Sequence, residues 1–177
     1  ERGGVIHLKL SDRSWVYPVN PDLGTVNKCF PRASKSASTF FPLVRCHSHP
    51  IGTCFSPLDW KRPLADNYFV AEGLGTYWQN YLLLRTADTW AEEPEVVNQQ
   101  IDELDKIVKE YFGEEEPDPP TPTIEEVRRY FREAIEVGGE IDRLILSVST
   151  ALAIKHKIAF YVSNKDGVFR LVDSTLT

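Results

Sequence analysis

The chain contains no methionine and only three cysteines, Cys29, Cys46 and Cys54. An odd number at irregular spacing does not make a disulfide framework, and no C-x-x-C pair is present for a structural zinc knuckle. The three read as thiols, with Cys46 packing in an apolar run. No apolar run approaches the roughly 18 residues of a membrane-spanning helix. Positive charge is also short: 20 Lys and Arg face 26 Asp and Glu, for a net charge of −6. That balance offers no bulk neutralisation of phosphates and argues against a nucleic-acid partner. A secretory leader is missing too. Because the chain starts at Glu1 and has no methionine, we read it as a processed chain or a piece of a longer one, so a targeting segment upstream is not excluded. What remains is 177 residues, 42% of them apolar, which suits one domain with a core of its own and room for an appended subdomain.

The chain divides by pattern. Gly3 to Leu10 and Ser14 to Val19 alternate and are rich in β-formers, with "SDR" between them as a hairpin turn. Asn20 to Ser38, rich in Pro, Gly, Asn and Ser, reads as a long loop. A third strand runs from about Phe41 to His47. Ser56-Pro57 opens a short helix over about 58–67, and one or two strands follow, with "NYLLLRT" the best candidate. Apolar residues at 96, 97, 101, 104, 107, 108, 111 and 112 have helical spacing, closed by Gly113. An acidic, proline-rich linker covers 114–122. Thr123 and Glu126 form a capping box for the next helix, and "EIDRLILSVSTALAIKH" reads as a buried helix. Two terminal strands flank a hairpin turn at Asn164 to Gly167. The order implies an α/β (α+β) fold: a core of 1–90 and 157–177, with a helical insertion over 91–156.

The chemistry concentrates in "LVRCHSHPIGTCFSPLDW", Leu43 to Trp60. Residues two apart on a strand point to the same side, so the imidazoles of His47 and His49 can reach one point. Asp59 returns in the first turn of a helix after a short loop. Two neutral imidazoles and a carboxylate form a three-ligand zinc site with an open fourth position, at which a water would be acidified to a pKa near ~7. That is a hydrolytic arrangement. Plainer readings stand beside it. H-x-H occurs by chance, and Ser56 with Asp59 makes an S-x-x-D capping box around Pro57. The combination of an apolar strand, H-x-H-P, a Gly-containing turn and S-P-x-D is more specific than its parts. His7 and His156 read as structural, and Trp60 as core rather than groove.

The stretch "HSHPIGTCFSPLD" resembles the signature of the JAMM (MPN) zinc metallopeptidases: an upstream Glu, H-[ST]-H-P, a short loop and S-x-x-D. Together with "ERGGVI" and "YVSNKDGVFRLVD", it is similar to the JAMM-like domain at the C-termini of bacterial polymorphic toxins and secretion-system effectors. The resemblance covers about 1–70 and 157–173. It implies a cytidine-deaminase-like curved mixed sheet flanked by helices, and Zn2+ held by His47, His49 and Asp59. It further implies Ser56 as a hydrogen-bond donor to the oxyanion and Glu1 as the general base. A mobile acidic terminus is the other reading of Glu1, and Glu72 is the reserve base. The family usually places seven residues between the second histidine and the serine. Here there are six, which leaves the Ser56 geometry open and makes Cys54 a candidate for the fourth coordination position. The implied activity is hydrolysis of a peptide or isopeptide bond in a toxin or effector module, secreted or delivered into a target cell, otherwise cytoplasmic. The implied partners are a protein or peptide substrate and an immunity protein or ubiquitin-like protein, the latter docking on the helical insertion unless that insertion packs on its own sheet. A metal-free MPN-type binding scaffold and a zinc hydrolase acting on a non-protein amide are the alternatives.

Overall fold

The computed structural model describes residues 2–16, 22–23, 40–49, 54–66, 69–76, 79–112, 125, 143, 145–163 and 167–172. The strands are β1 (Arg2–Lys9), β2 (Trp15–Val16), β3 (Asp22–Leu23), β4 (Phe40–His49), β5 (Ala71–Thr76), β6 (Asn80–Arg85), β7 (Ile158–Ser163) and β8 (Phe169–Leu171). The helices are α1 (Pro57–Ala65), α2 (Pro94–Phe112) and α3 over 145–155. This is a mixed α+β architecture. Its sheet runs β2-β1-β4-β5-β6-β7-β8, with β3 also beside β1. No helix among the described residues is long and apolar enough to cross a membrane.

The first hairpin forms where alternation and turn residues place it. His7 pairs with Val16 and Leu8 with Trp15. Asp12 closes the turn by accepting from the Ser14 N–H at 3.0 Å, and Arg13 takes the left-handed φ of 57°. The loop expected over 20–38 contains a strand, because Asp22 and Leu23 pair with Gly3 and Arg2. Its remaining residues lie outside the described ones. β4 continues two residues past the expected His47, carrying both histidines within the ladder. Gly167, with φ of 72°, stands before β8 in the terminal hairpin; a left-handed φ there suits a residue without Cβ. The Thr123 capping box lies outside the described residues.

Among the described residues only β4 and β5 pair in parallel, with Arg45 beside Glu72 and His47 beside Leu74. Parallel neighbours need a crossover, and α1 lies within it. In such a β–α–β unit the strand's C-terminal end and the helix N-terminus arrive at the same edge of the sheet, a common place for a site. In this chain that edge brings together His47, His49 and the Ser56–Asp59 turn. Opposite Cys46, Gly73 leaves room for its side chain: a Cβ there would stand 3.1 Å from the Cys46 Sγ.

The core fixes α1 against this edge. Cys54, Phe55, Trp60 and Leu64 join Leu74, Tyr81, Leu83, Ile158 and Phe160 of the sheet, Val97 and Ile101 of α2, and Leu152 and Ala153 of α3 in one buried cluster. The Phe55 ring sits 6.2–6.3 Å from those of Trp60, Tyr81 and Phe160, within the range of favourable aromatic pairs. The Trp60 Nε1–H donates to Ser149 Oγ of α3 at 3.1 Å, so its buried polar group is satisfied. With Trp60 turned into the core, the preceding residue, Asp59, is turned about 100° around the helix, since 3.6 residues make one turn. Burial of Trp60 thereby sets where Asp59 points.

Candidate metal centre

His47 and His49 lie on one face of β4, as two-residue spacing requires, and both are buried. Their rings meet edge to face with centroids 4.9 Å apart, and the two Nε2 atoms are 3.1 Å apart. Asp59 arrives from the first turn of α1. Its Oδ1 is 3.1 Å from His47 Nε2 and its Oδ2 is 3.4 Å from His49 Nε2. The three residues form a group able to hold a metal ion.

The separations bear on whether an ion fits. Zinc bonded to nitrogen and oxygen at about 2.0–2.2 Å in a tetrahedron needs donor atoms roughly 3.3–3.5 Å apart. The two Nε2 atoms, 3.1 Å apart, come within a few tenths of an ångström of that edge; Asp59 meets His47 through Oδ1 and His49 through Oδ2, and with one ligand atom from each residue the three lie within 4.8 Å of one another. The donor types, two imidazoles and one carboxylate, are ones a divalent metal ion accepts. Side-chain exposure rises from 3% at His47 to 10% at His49 and 16% at Asp59, so the centre is closed behind His47 and faces outward beside Asp59.

Asp59 also does what a capping residue does. Its Oδ2 accepts both the Ser56 backbone N–H and the Ser56 Oγ–H at 2.7 Å, and its own N–H bonds back to the Ser56 carbonyl at 3.0 Å. One carboxylate therefore caps α1 and faces the histidines, so the structural and the ligand readings of Asp59 coexist. Burial would raise its carboxyl, but the hydrogen bonds and charge of His47 and His49 outweigh this and hold it well below the usual range. The Ser56 hydroxyl is committed to Asp59 here; donating to a substrate requires that it turn away, while its backbone N–H keeps the cap.

A scan against models of known families, a search of curated proteins and a search of solved structures find no match.

The other expected site residues fall in varied places. Glu1 lies outside the described residues. The first described residue of β1, Arg2, donates its N–H to Ser48 Oγ at 3.0 Å, which ties the start of β1 to the residue that separates the two histidines in sequence and faces the other side of β4. Cys54 is turned into the core, with its Sγ 3.8 Å from Ser149 Oγ, and does not belong to the His-His-Asp group. The shorter loop therefore does not draw its thiol to the centre. His156 is fully buried at the end of α3, with Nε2 3.2 Å from Gln100 Oε1 and Nδ1 3.4 Å from Glu92 Oε1, and joins α3 to α2.

Glu72, the reserve base, stands beside the centre in a different relation. Its Oε1 lies 3.9 Å from His47 Nδ1, the ring nitrogen turned away from the other two ligands. Its Oε2 accepts from Arg62 Nη1 of α1 at 3.1 Å. Burial pushes its carboxyl up to about 7 against the opposing charges of Arg62, His47 and Arg45. Sequence spacing does not reveal Arg62 and Arg45 as its neighbours; Arg45 follows from the parallel register of β4 and β5, and Arg62 reaches it from α1.

Proposed function

We propose that this chain is a zinc-dependent hydrolase of the JAMM (MPN) type that cleaves a peptide or isopeptide bond, acting as a toxin or effector module. The observation that carries the reading is the convergence of His47 Nε2, His49 Nε2 and the Asp59 carboxylate, whose ligand atoms lie within 4.8 Å of one another. The motif "HSHP…SPLD" falls on the strand end and helix start that create it. The fold expected of that family supports the reading at the level of a mixed sheet with helices.

In this reading His47, His49 and Asp59 hold the ion, with both imidazoles neutral and presenting Nε2. A bound divalent ion supplies Lewis acidity toward a carbonyl and makes hydroxide available near neutral pH. Glu1 accepts a proton from the attacking water and returns it to the leaving amine. Ser56, released from Asp59, donates to the oxygen on which negative charge develops. Asp59 meanwhile keeps the backbone N–H of Ser56, so the helix start stays closed while the hydroxyl turns.

The test is metal content and amide hydrolysis on the same purified protein. About one zinc per chain is expected, with cleavage of an unfolded protein or a ubiquitin-like isopeptide conjugate that chelation and His49→Ala abolish. Because the Ser56–Asp59 cap explains the aspartate without any ion, the rival is a metal-free MPN-type scaffold. Absence of zinc with retained folding would establish that rival. Zinc binding with cleavage confined to non-protein amides would move the substrate class.

A further inference from the structure

His47 carries an unanswered question at its outer nitrogen. An imidazole that offers Nε2 to a metal keeps its proton on Nδ1. In this chain Nδ1 is buried and makes no hydrogen bond, which is a costly state for a donor. The carboxylate beside it is Glu72, with Oε1 at 3.9 Å, too long for a hydrogen bond but closed by a shift of about 1 Å. Glu72 is not free to leave. It is nearly fully buried, and its second oxygen is held by Arg62. Arg62 sits one helical turn after Asp59 on α1, and it also bonds Asp66 through Nε at 3.3 Å. A closed path therefore runs from Asp59 along α1 to Arg62, across to Glu72 on β5, to His47 on β4 and back to Asp59.

We propose that Glu72 is a positioning residue for the metal centre: it takes the Nδ1–H of His47, fixes the ring's tautomer and orientation, and is itself aimed by Arg62. This rests on the metal reading above and deepens it. It also assigns Glu72 away from the role of general base, because it meets His47 behind the ring rather than on the ligand side. Carboxylates behind metal-ligating histidines raise ligand basicity, and their removal typically weakens metal binding about 10–100-fold.

The experiment is titration of the metal-free protein with Zn2+ or Co2+, with NMR observation of the His47 ring. Glu72→Gln should bind Zn2+ about 10–100-fold more weakly, change the visible spectrum of the Co2+ form and lose the low-field Nδ1–H resonance of His47. Arg62→Lys, which keeps the charge but not the fork, should weaken binding by a smaller factor; it carries the test if Glu72→Gln fails to fold. Asp66→Asn, which removes the charge of the other partner of Arg62 but keeps an oxygen for its Nε–H, should leave affinity within about twofold, since Asp66 meets the path at Arg62 and contacts neither Glu72 nor His47. Equal affinity and an unchanged His47 resonance in folded Glu72→Gln or Arg62→Lys overturns the inference while leaving the metal reading intact. Full affinity with lost hydrolysis in Glu72→Gln overturns it in favour of a base. A wild-type chain that binds neither ion overturns the metal reading and this inference with it.

Discussion

The carboxylate of Asp59, on the first turn of α1, lies 3.1 Å from Nε2 of His47 at the end of β4. The contact spans the crossover between the two parallel strands, and the same carboxylate caps the helix that carries it. The cap and the proposed ligand are thus one side chain, and the two roles can be separated by choice of substitution.

Asp59→Ala should lose both. Removing the capping acceptor leaves the Ser56 N–H unanswered and costs about 1 kcal/mol, while zinc binding falls sharply. Asp59→Asn keeps an oxygen for the Ser56 N–H and should retain most of the stability, yet still lose the metal. Urea unfolding beside metal analysis separates the two; zinc retained by Asp59→Ala would reduce Asp59 to a cap.

Zinc should stabilise the fold by mass action, because the three donors converge only when β4 and α1 are in place. At free zinc 100-fold above its Kd, the gain is about 2.7 kcal/mol, or roughly 5–10 °C in Tm for a chain of this size. His47→Ala and His49→Ala should each abolish that rise in thermal unfolding scans, whatever they do to the metal-free Tm.

Trp60 holds α1 in rotation. Its side chain is buried among Phe55 and the α3 residues, with Nε1 bonded to Ser149. Trp60→Ala should cost about 3–5 kcal/mol by denaturant unfolding. Trp60→Phe should cost less, since it keeps most of the ring and loses the bond to Ser149.

His156 gives the fold a pH dependence. Burial pushes its pKa below the usual 6.5, against the opposing charge of Glu92 and with help from Lys155. The unfolded chain therefore takes up the proton first, and stability falls as pH drops below 6.5 through the lowered value. The His156→Gln variant should lack this component, so the stability difference between wild type and variant should shrink toward acid. A difference that is flat between pH 7 and 5 would count against a buried neutral His156.

The readable parts of the site are those set by local spacing. Period-two alternation puts His47 and His49 on one face, and the S-P-x-D pattern marks the start of α1, so the His-His-Asp group and the cap were both visible in eighteen residues. Long-range register was not. Glu72 stands among "AEGLGT", whose glycines blur any alternation, and nothing local says that its strand runs parallel to β4 with Glu72 opposite Arg45. Its neighbours Arg62 and His47 come from two other elements. Cys54, a candidate for the fourth position, is turned away for a related reason: its place in the loop puts it near the histidines in sequence, while the core formed by Phe55, Trp60 and α3 claims its side chain. The two-residue β3 was hidden by turn-forming neighbours, since strand pairing there comes from β1 rather than from its own composition.

The central claim is most directly tested by an anomalous-scattering map of crystals grown from the purified protein with zinc. The account predicts a single strong peak about 2.0–2.2 Å from His47 Nε2, His49 Nε2 and the Asp59 carboxylate. A map with no peak among these side chains, or with the ion bound elsewhere while the three remain in direct contact with one another, would contradict it.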